Sequence, residues 1–137
     1  MDEDLDNVTL TYRLAEMDTG AVCQFIQNAY WGKSLSKEQI RKSFEFSACA
    51  GLMHGDQQIG FARAISDRVS SAYLKDFIVF EVFQRRGFGR LLMESLLKHP
   101  ELSEVPSWYL GTKDAHDFYT SLGFRKSPDG IYMYLHR

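Results

Sequence analysis

A glycine-containing loop between an apolar run and an amphipathic segment constrains the fold of this chain most strongly. The run at 77–80 is wholly apolar, as in a buried strand, and residues 88–98 have the apolar spacing of a helix. Between them lies Gln84-Arg85-Arg86-Gly87-Phe88-Gly89-Arg90. A strand that turns into a helix through glycines leaves unpaired N–H groups at the helix N-terminus, where the helix dipole also favours an anion. The sequence therefore predicts a strand–loop–helix unit that binds a phosphate group.

Two familiar phosphate loops are excluded by the residues that follow. A P-loop needs Gly-Lys-Ser/Thr, but Gly89 is followed by Arg90. A dinucleotide fingerprint needs a third glycine, and that position is Leu92. The remaining pattern, Gln/Arg-x-x-Gly-x-Gly/Ala, resembles the pyrophosphate-binding loop of the GNAT superfamily of N-acetyltransferases.

A second motif strengthens this resemblance. In that superfamily a strand, a helix containing Ala-x-x-Phe-Tyr and then Gly-Phe follow the loop. Here the strand is Trp108-Tyr109-Leu110, and the segment from Ala115 to Phe124 reads Ala-His-Asp-Phe-Tyr-Thr-Ser-Leu-Gly-Phe. The resemblance extends from Tyr12 to Leu135. One position departs from the family pattern, because Thr112 stands where an asparagine is common.

The order of predicted elements is β-α-α-β-β-β-α-β-α-β-β. Strands are expected at 8–14, 47–53, 58–65, 73–80, 107–110, 124–126 and 131–135. Helices are expected from an Asp18-Thr19 cap to Gly32, from a capping box at Ser36 and Gln39, at 88–98 and at 113–122. We predict one α/β domain over residues 1–137, with a mixed central sheet flanked by helices, a GNAT-like fold and a frayed segment at 1–7.

Charge and composition limit the partners. The formal net charge is -2 and the pI is about 6.1, which argues against a general nucleic-acid or membrane binder. Cys23 and Cys49 lie among apolar neighbours and are predicted to be core residues, and no metal-ligand spacing is present. No apolar stretch has the length of a membrane span and no signal-peptide pattern precedes the domain, so a cytoplasmic protein is expected. A homodimer is left open.

The resemblance implies acetyl-CoA as the co-substrate, with no metal, and an amine as acceptor. Backbone N–H groups of the loop would bind the pyrophosphate, and Arg85 and Arg90 would contact phosphate oxygens. The pantetheine arm would pair with the strand backbone at 77–79. The expected cofactor-binding residues are Phe77, Ile78, Val79, Gln84, Arg85, Arg86, Gly87, Phe88, Gly89, Arg90 and Thr112.

Catalysis is assigned to two residues. The resemblance makes Tyr119 the general acid that protonates the leaving thiolate, although its helical spacing also suits simple packing. An alkylamine with a pKa of about 10.4 is almost wholly protonated at pH 7 and needs a base. Asp76 is the candidate base, with Glu81 or a water as alternatives. A structural ion pair of Asp76 with Arg63 or Lys75 is the competing interpretation.

The acceptor site is the least determined part. The resemblance places it between the first two helices, the adjoining strands and the last hairpin, which offers Tyr30, Trp31, Phe46, Asp67, Tyr73 and Tyr132. The leading prediction is an N-acetyltransferase that acts on a primary amine of a small molecule or a protein. A non-catalytic module that binds or senses acyl-CoA is the alternative.

Overall fold

One mixed sheet of seven strands organises the protein. The structure is a computed structural model that describes residues 7–29, 34–128 and 132–137. The strands are β1 (Val8–Thr11), β2 (Ala48–His54), β3 (Gln57–Ser66), β4 (Ser71–Val79), β5 (Ser107–Gly111), β6 (Arg125–Lys126) and β7 (Tyr132–His136). The helices are α1 (Thr19–Asn28), α2 (Lys37–Phe44), α3 (Phe88–Leu97) and α4 (His116–Ser121), with 3-10 helices at Leu14–Glu16 and Glu81–Phe83.

The strand order is β1-β2-β3-β4-β5-β7-β6. Only the β4–β5 pair among these strands is parallel, because α3 carries the chain back across the sheet between them. The predicted α/β class with a mixed central sheet flanked by helices is confirmed, and the predicted order of strands and α-helices is confirmed as well.

The two faces of the sheet have separate apolar cores. On one face, α3 buries Leu92 and Leu96 in a cluster that includes Trp108 of β5. On the other face, Ile26 of α1 and Phe44 of α2 pack in a cluster with sheet residues that include Ile78 of β4. The free thiols of Cys23 and Cys49 belong to this second core, as the sequence predicted.

Local capping explains where the first two helices begin. The Asp18 carboxylate accepts the Ala21 N–H at 3.0 Å. Ser36 and Gln39 form the predicted capping box, in which each side chain accepts the other residue's backbone N–H.

Three predicted boundaries are wrong by three residues or more. The first strand ends at Thr11 rather than near Leu14, because the chain turns there and the Arg13 N–H donates to the Thr11 hydroxyl at 3.1 Å. Helix α1 ends at Asn28, since Ala29 already has extended backbone angles; Gly32 lies outside the described residues. Helix α4 begins at His116 rather than at 113, because the Thr112 hydroxyl accepts the Ala115 N–H at 3.1 Å and holds a turn before the helix.

A β-bulge interrupts the pairing of β3 with β4. Arg63 lies opposite Asp76, whereas the neighbouring Ala64 lies opposite Leu74. Lys75 is therefore the extra residue on β4. A bulge bends its strand and changes which face the following side chains point to.

Candidate active site

A cleft opens in the sheet where β4 and β5 separate. The two strands pair only over Ser71–Tyr73 of β4 and Ser107–Tyr109 of β5. Beyond these residues each strand continues without the other as its partner. The cleft has a volume of about 990 Å³, and it is lined by β4, the glycine loop, the start of α3, the end of β5 and α4.

The cleft gathers most of the predicted site residues. Those that line it are Asp76, Phe77, Val79, Gln84, Arg85, Gly87, Gly89, Arg90, Thr112 and Tyr119. Ile78, Arg86 and Phe88 are not part of its lining. Ile78 is buried in the core under α1 and α2, and the Phe88 ring is buried under α3 with its centroid 6.2 Å from that of Phe83.

The glycine loop has the geometry of an anion site. Arg85 (φ 65°) and Gly87 (φ 87°) both have left-handed backbone conformations. Gly87 is the N-cap of α3, and no side chain caps the helix there. The first helical bond runs from the Leu91 N–H to the Gly87 carbonyl, at 3.3 Å, so the N–H groups before Leu91 have no acceptor within the helix. These donors and the helix dipole favour an anion at this end of the cleft.

Space at the loop also suits a phosphate. A Cβ atom added to Gly87 would meet no other atom within 4 Å, and one added to Gly89 would lie 3.3 Å from the Phe118 ring. The backbone of the loop is therefore open at Gly87 and closely approached at Gly89. A ligand can reach the helix N-terminus without meeting a side chain from either glycine.

Some polar side chains of the loop already form hydrogen bonds within the protein. Gln84 donates from Nε2 to the Val79 carbonyl at 2.9 Å, which ties the loop to the end of β4. Arg90 donates to the Ser121 carbonyl at 3.1 Å and lies 3.4 Å from the Glu94 carboxylate. Arg85 is exposed at the cleft. Arg85 is thus the cation of the loop that is placed best to meet a bound phosphate.

Tyr119 lines the cleft from the α3 face of the sheet. Its ring is 7% exposed and packs against the rings of Phe118 and Phe124, with centroids 5.0 and 5.9 Å away. The Phe77 ring lies 6.1 Å from it on β4. Burial raises the pKa of the Tyr119 hydroxyl above its usual value near 10. Tyr119 therefore keeps its proton at neutral pH, and packing and proton donation are compatible at this position.

Asp76 reaches the cleft from the opposite face. Phe77 belongs to the core under α3 whereas Ile78 belongs to the core under α1 and α2. Because successive side chains of a strand alternate, Asp76 lies on the same side as Ile78. Tyr119 and Asp76 thus approach the same cleft from the two faces of β4.

The Asp76 carboxylate forms a buried ion pair. The Arg63 Nε lies 2.7 Å from Oδ2, and the side chains of Arg63 and Asp76 are 7% and 1% exposed. Oδ1 is also buried, and no donor in the described residues reaches it. The ion pair with Arg63 that competed with the base assignment is present, and it uses one carboxylate oxygen only. Lys75 and Glu81 are exposed.

The predicted acceptor residues differ in placement. The Tyr73 hydroxyl lies 3.6 Å and the Tyr132 ring 3.8 Å from the Cβ position of Gly111, where β5 leaves β4. Phe46 is 70% exposed. Asp67 is engaged in the β3–β4 turn, where its carboxylate accepts hydrogen bonds from Ser70 and from nearby backbone N–H groups that lower its pKa. Tyr30 and Trp31 lie outside the described residues.

Sequence reasoning missed a row of aromatic residues beside the cleft. Tyr109 lies between Tyr73 and Tyr134 in the register of β4, β5 and β7. Only the strand order, which no local pattern reveals, brings the three together. The sequence predicted Arg63 only as one of two possible ion-pair partners of Asp76. A cation among the alanines and apolar residues of β3 is itself a signal, because a buried charge needs a partner.

No group of three or more His, Cys, Asp or Glu side chains among residues 7–29, 34–128 and 132–137 could hold a metal ion. In the same ranges, the helices are too short or too polar to cross a membrane.

Comparison with known proteins gives consistent results. The family profile described as "Acetyltransferase (GNAT) domain" matches residues 46–126. A relative named "Uncharacterized N-acetyltransferase ycf52", from Gracilaria tenuistipitata var. liui, is 32% identical over 107 residues, which cover 77% of this chain and 52% of that protein. The chain spans about half the length of the curated relatives it matches.

Solved structures share the fold over most of the chain. A protein of Xanthomonas campestris pv. campestris assigned to the GNAT family has a TM-score of 0.82 and 29% identity, with 88% of this chain and 86% of that chain covered. A GNAT family acetyltransferase of Elizabethkingia anophelis with acetyl-CoA bound has a TM-score of 0.73 and 18% identity, with 96% and 99% covered. The second likeness concerns the fold alone.

Proposed function

The chain belongs to the GNAT family of acetyltransferases, and we propose that it transfers an acetyl group from acetyl-CoA to a primary amine of a small molecule or a protein. The observation that carries this proposal is the cleft between β4 and β5. One end of the cleft is the uncapped N-terminus of α3, and Tyr119 and Asp76 line it from opposite faces of the sheet. An anion site beside a proton donor and a carboxylate matches the needs of acetyl transfer from a phosphate-bearing thioester.

The residues of the cleft fit acetyl-CoA. The N–H groups at the start of α3 and the exposed Arg85 would hold the pyrophosphate. The β4 edge that faces the cleft would pair with the pantetheine arm, although the Val79 carbonyl must first release or share the Gln84 amide. The Thr112 hydroxyl is engaged with the Ala115 N–H, so Thr112 would contact the arm mainly through its backbone.

Acetyl-CoA, when bound, supplies a thioester whose acetyl carbon is attacked by a neutral amine, so that a C–N bond forms and the C–S bond breaks. Asp76 would take one proton from the acceptor ammonium, directly or through a water, and leave the nitrogen lone pair free. Tyr119 would give its phenolic proton to the departing sulfur, since its raised pKa keeps that proton in place at neutral pH. The nitrogen would then lose its second proton, which would return to the Tyr119 phenolate, and Asp76 would release its proton to water.

A thiol-release assay with acetyl-CoA and a panel of small amines and peptides tests the proposal. Gly89→Glu places a carboxylate at the start of α3 and should abolish both turnover and the stabilisation by CoA. Gly20→Glu is the matched control, because Gly20 is likewise the second residue of an α-helix but lies in α1. In the wild type, CoA at a hundred times its dissociation constant should add about 2.7 kcal/mol to the free energy of unfolding.

Two results would count against the proposed acetyltransferase activity. A wild-type protein that CoA does not stabilise would overturn the assignment of the cleft. Stabilisation by CoA without thiol release for any amine would favour the alternative, a module that binds or senses acyl-CoA without turnover. A location in the cytoplasm and a homodimer stay predictions.

A further inference from the structure

We propose that Arg63 is a positioning residue that turns Oδ1 of Asp76 towards the acceptor amine by holding the other carboxylate oxygen. The inference rests on the proposed acetyl transfer and deepens it. The ion pair and the base role of Asp76 are then compatible, because the ion pair uses Oδ2 and proton transfer would use Oδ1.

The register of the sheet brings the pair together. Arg63 on β3 lies directly opposite Asp76 on β4, next to the bulge at Lys75. The Arg63 Nε donates to Oδ2 at 2.7 Å, and both side chains are almost completely buried. A charge-assisted hydrogen bond of this length in a buried site fixes the carboxylate plane. Rotation of the carboxylate would exchange Oδ1 and Oδ2 only at the cost of this bond.

Arg63 is in turn fixed by the end of α2. Its Nη1 donates to the Ser47 hydroxyl at 3.0 Å, and that hydroxyl donates to the Ser43 carbonyl at 2.9 Å. The guanidinium carbon lies 5.4 Å from the centroid of the Phe44 ring, within the range of a cation–π contact. Helix α2, Arg63 and the carboxylate therefore form one connected chain of contacts.

Oδ1 is the unsatisfied end of that chain. It is buried, it accepts no hydrogen bond from the described residues, and Asp76 lines the cleft. A buried acceptor without a donor is costly, and native structures contain few of them. Because Oδ1 has almost no exposed surface, an ammonium group of the acceptor, or a water that carries its proton, would have to displace the side chains that cover this oxygen before it could supply the missing donor. The N–H bond of the ammonium would then break, an O–H bond would form at Oδ1, and the electron pair would remain on nitrogen for the attack on the acetyl carbon.

Other ionisable groups near the pair come from three elements. Cys49 on β2 and Cys23 on α1 are close enough to feel the charge of Asp76, and Cys23 also feels Lys37 and Arg41 of α2. Burial keeps both thiols protonated near neutral pH, because it raises their pKa values. Arg63 is thus the cation in direct contact with the carboxylate.

Steady-state kinetics that separate kcat from the KM for the amine test the proposal, with the best amine found and saturating acetyl-CoA. Asp76→Asn should lower kcat/KM for the amine by about 10²-fold or more, as for loss of a general base. Arg63→Gln should lower kcat more than it changes the KM for the amine, because a carboxylate held in the wrong orientation takes the proton less efficiently. Arg63→Lys keeps the positive charge but loses the guanidinium geometry that contacts both Asp76 and Ser47, so it should lower kcat as well. The affinity for CoA should stay within about twofold of the wild type throughout.

Two further variants separate positioning from folding. Ser47→Ala loosens Arg63 without touching the ion pair, and it should lower kcat while the KM for the amine stays near the wild-type value. Arg68→Gln is the control, because it breaks the exposed Arg68–Glu101 pair outside the cleft and should change neither quantity. Wild-type kcat and KM in both Arg63→Lys and Ser47→Ala would overturn the inference while leaving acetyl transfer intact. A wild-type enzyme with no transfer would instead reject the proposed function.

Discussion

Removal of the Tyr119 hydroxyl should slow acetyl transfer without weakening the binding of CoA. Tyr119→Phe deletes one oxygen from a ring that is 7% exposed and packs among Phe77, Phe118 and Phe124. Phenylalanine keeps this aromatic packing. A general acid contributes about 10²–10⁴-fold to the rate, so kcat should fall by that factor, which corresponds to about 2.7–5.4 kcal/mol on the barrier. The effect should fall on kcat, because the proton is needed only when charge develops on sulfur.

Tyr12→Phe is the matched control for this experiment. The Tyr12 hydroxyl donates to the Ser95 carbonyl at 2.9 Å, away from the cleft. Its loss should reduce the free energy of unfolding by about 1 kcal/mol and leave kcat unchanged. Tyr119→Phe should give the reverse pattern, a normal urea midpoint and a low kcat. The two variants together separate a chemical role of a tyrosine from a structural one.

The pH dependence of the wild type gives a second test of Tyr119. Since burial raises its pKa, the hydroxyl stays protonated up to and beyond its usual value of about 10. The alkaline limb of kcat should therefore show no loss below pH 10 from this residue. A folded Tyr119→Phe protein with wild-type kcat at all pH values would refute the argument and leave water as the proton donor.

Three further predictions concern stability and the loop. Gly60→Ala should lower the free energy of unfolding by about 1–3 kcal/mol in urea titrations, because the new Cβ would lie 2.5 Å from the Ile78 carbonyl oxygen. Burial lowers the pKa of His99, so the contribution of its neutral ring to stability is present above the unfolded-state pKa of about 6.5 and is lost as the pH falls below that value. In His99→Gln the melting temperature should therefore depend less on pH between pH 7.5 and 5. Arg85 has a left-handed backbone conformation, which costs a residue with a side chain about 1–2 kcal/mol. Arg85→Gly should therefore raise the melting temperature of the free protein and weaken CoA binding in a titration. Arg85→Ala should weaken CoA binding without raising the melting temperature.

Local signals were enough to predict the order of the strands and α-helices along the chain. Caps, glycines and apolar spacing act over a few residues, so the capping box at Ser36 and the start of α3 at Phe88 could be read directly. Boundaries failed where a side chain bonded to nearby backbone. The Thr112 hydroxyl delays α4, and the Thr11 hydroxyl turns the chain after β1.

The site was harder to predict because it depends on contacts between distant strands. Alternation along β4 without a bulge would put Phe77 on the face of Tyr73 and Asp76 on that of Leu74. The structure has the opposite arrangement, since Phe77 lies in the core under α3 and Asp76 meets Arg63 on the other face. No residue type at Lys75 signals the bulge that causes this change. The glycine loop, by contrast, is local and was predicted as a unit.

The bulge at Lys75 also lies where β4 leaves β5, since the last pair between them joins Tyr73 and Tyr109. A bulge bends its strand and increases its twist, so we expect it to cause the separation that forms the cleft. Deletion of Lys75 would keep Asp76 opposite Arg63 and Leu74 opposite Ala64, but it would straighten β4 and favour continued pairing with β5. We expect the deletion variant to fold, with a normal far-UV circular dichroism spectrum, and to lose the thermal stabilisation by CoA. Lys75→Ala should keep both, because the extra residue remains. A deletion variant that binds CoA as tightly as the wild type would show that the strands separate for another reason, such as the packing of Phe77 against Tyr119.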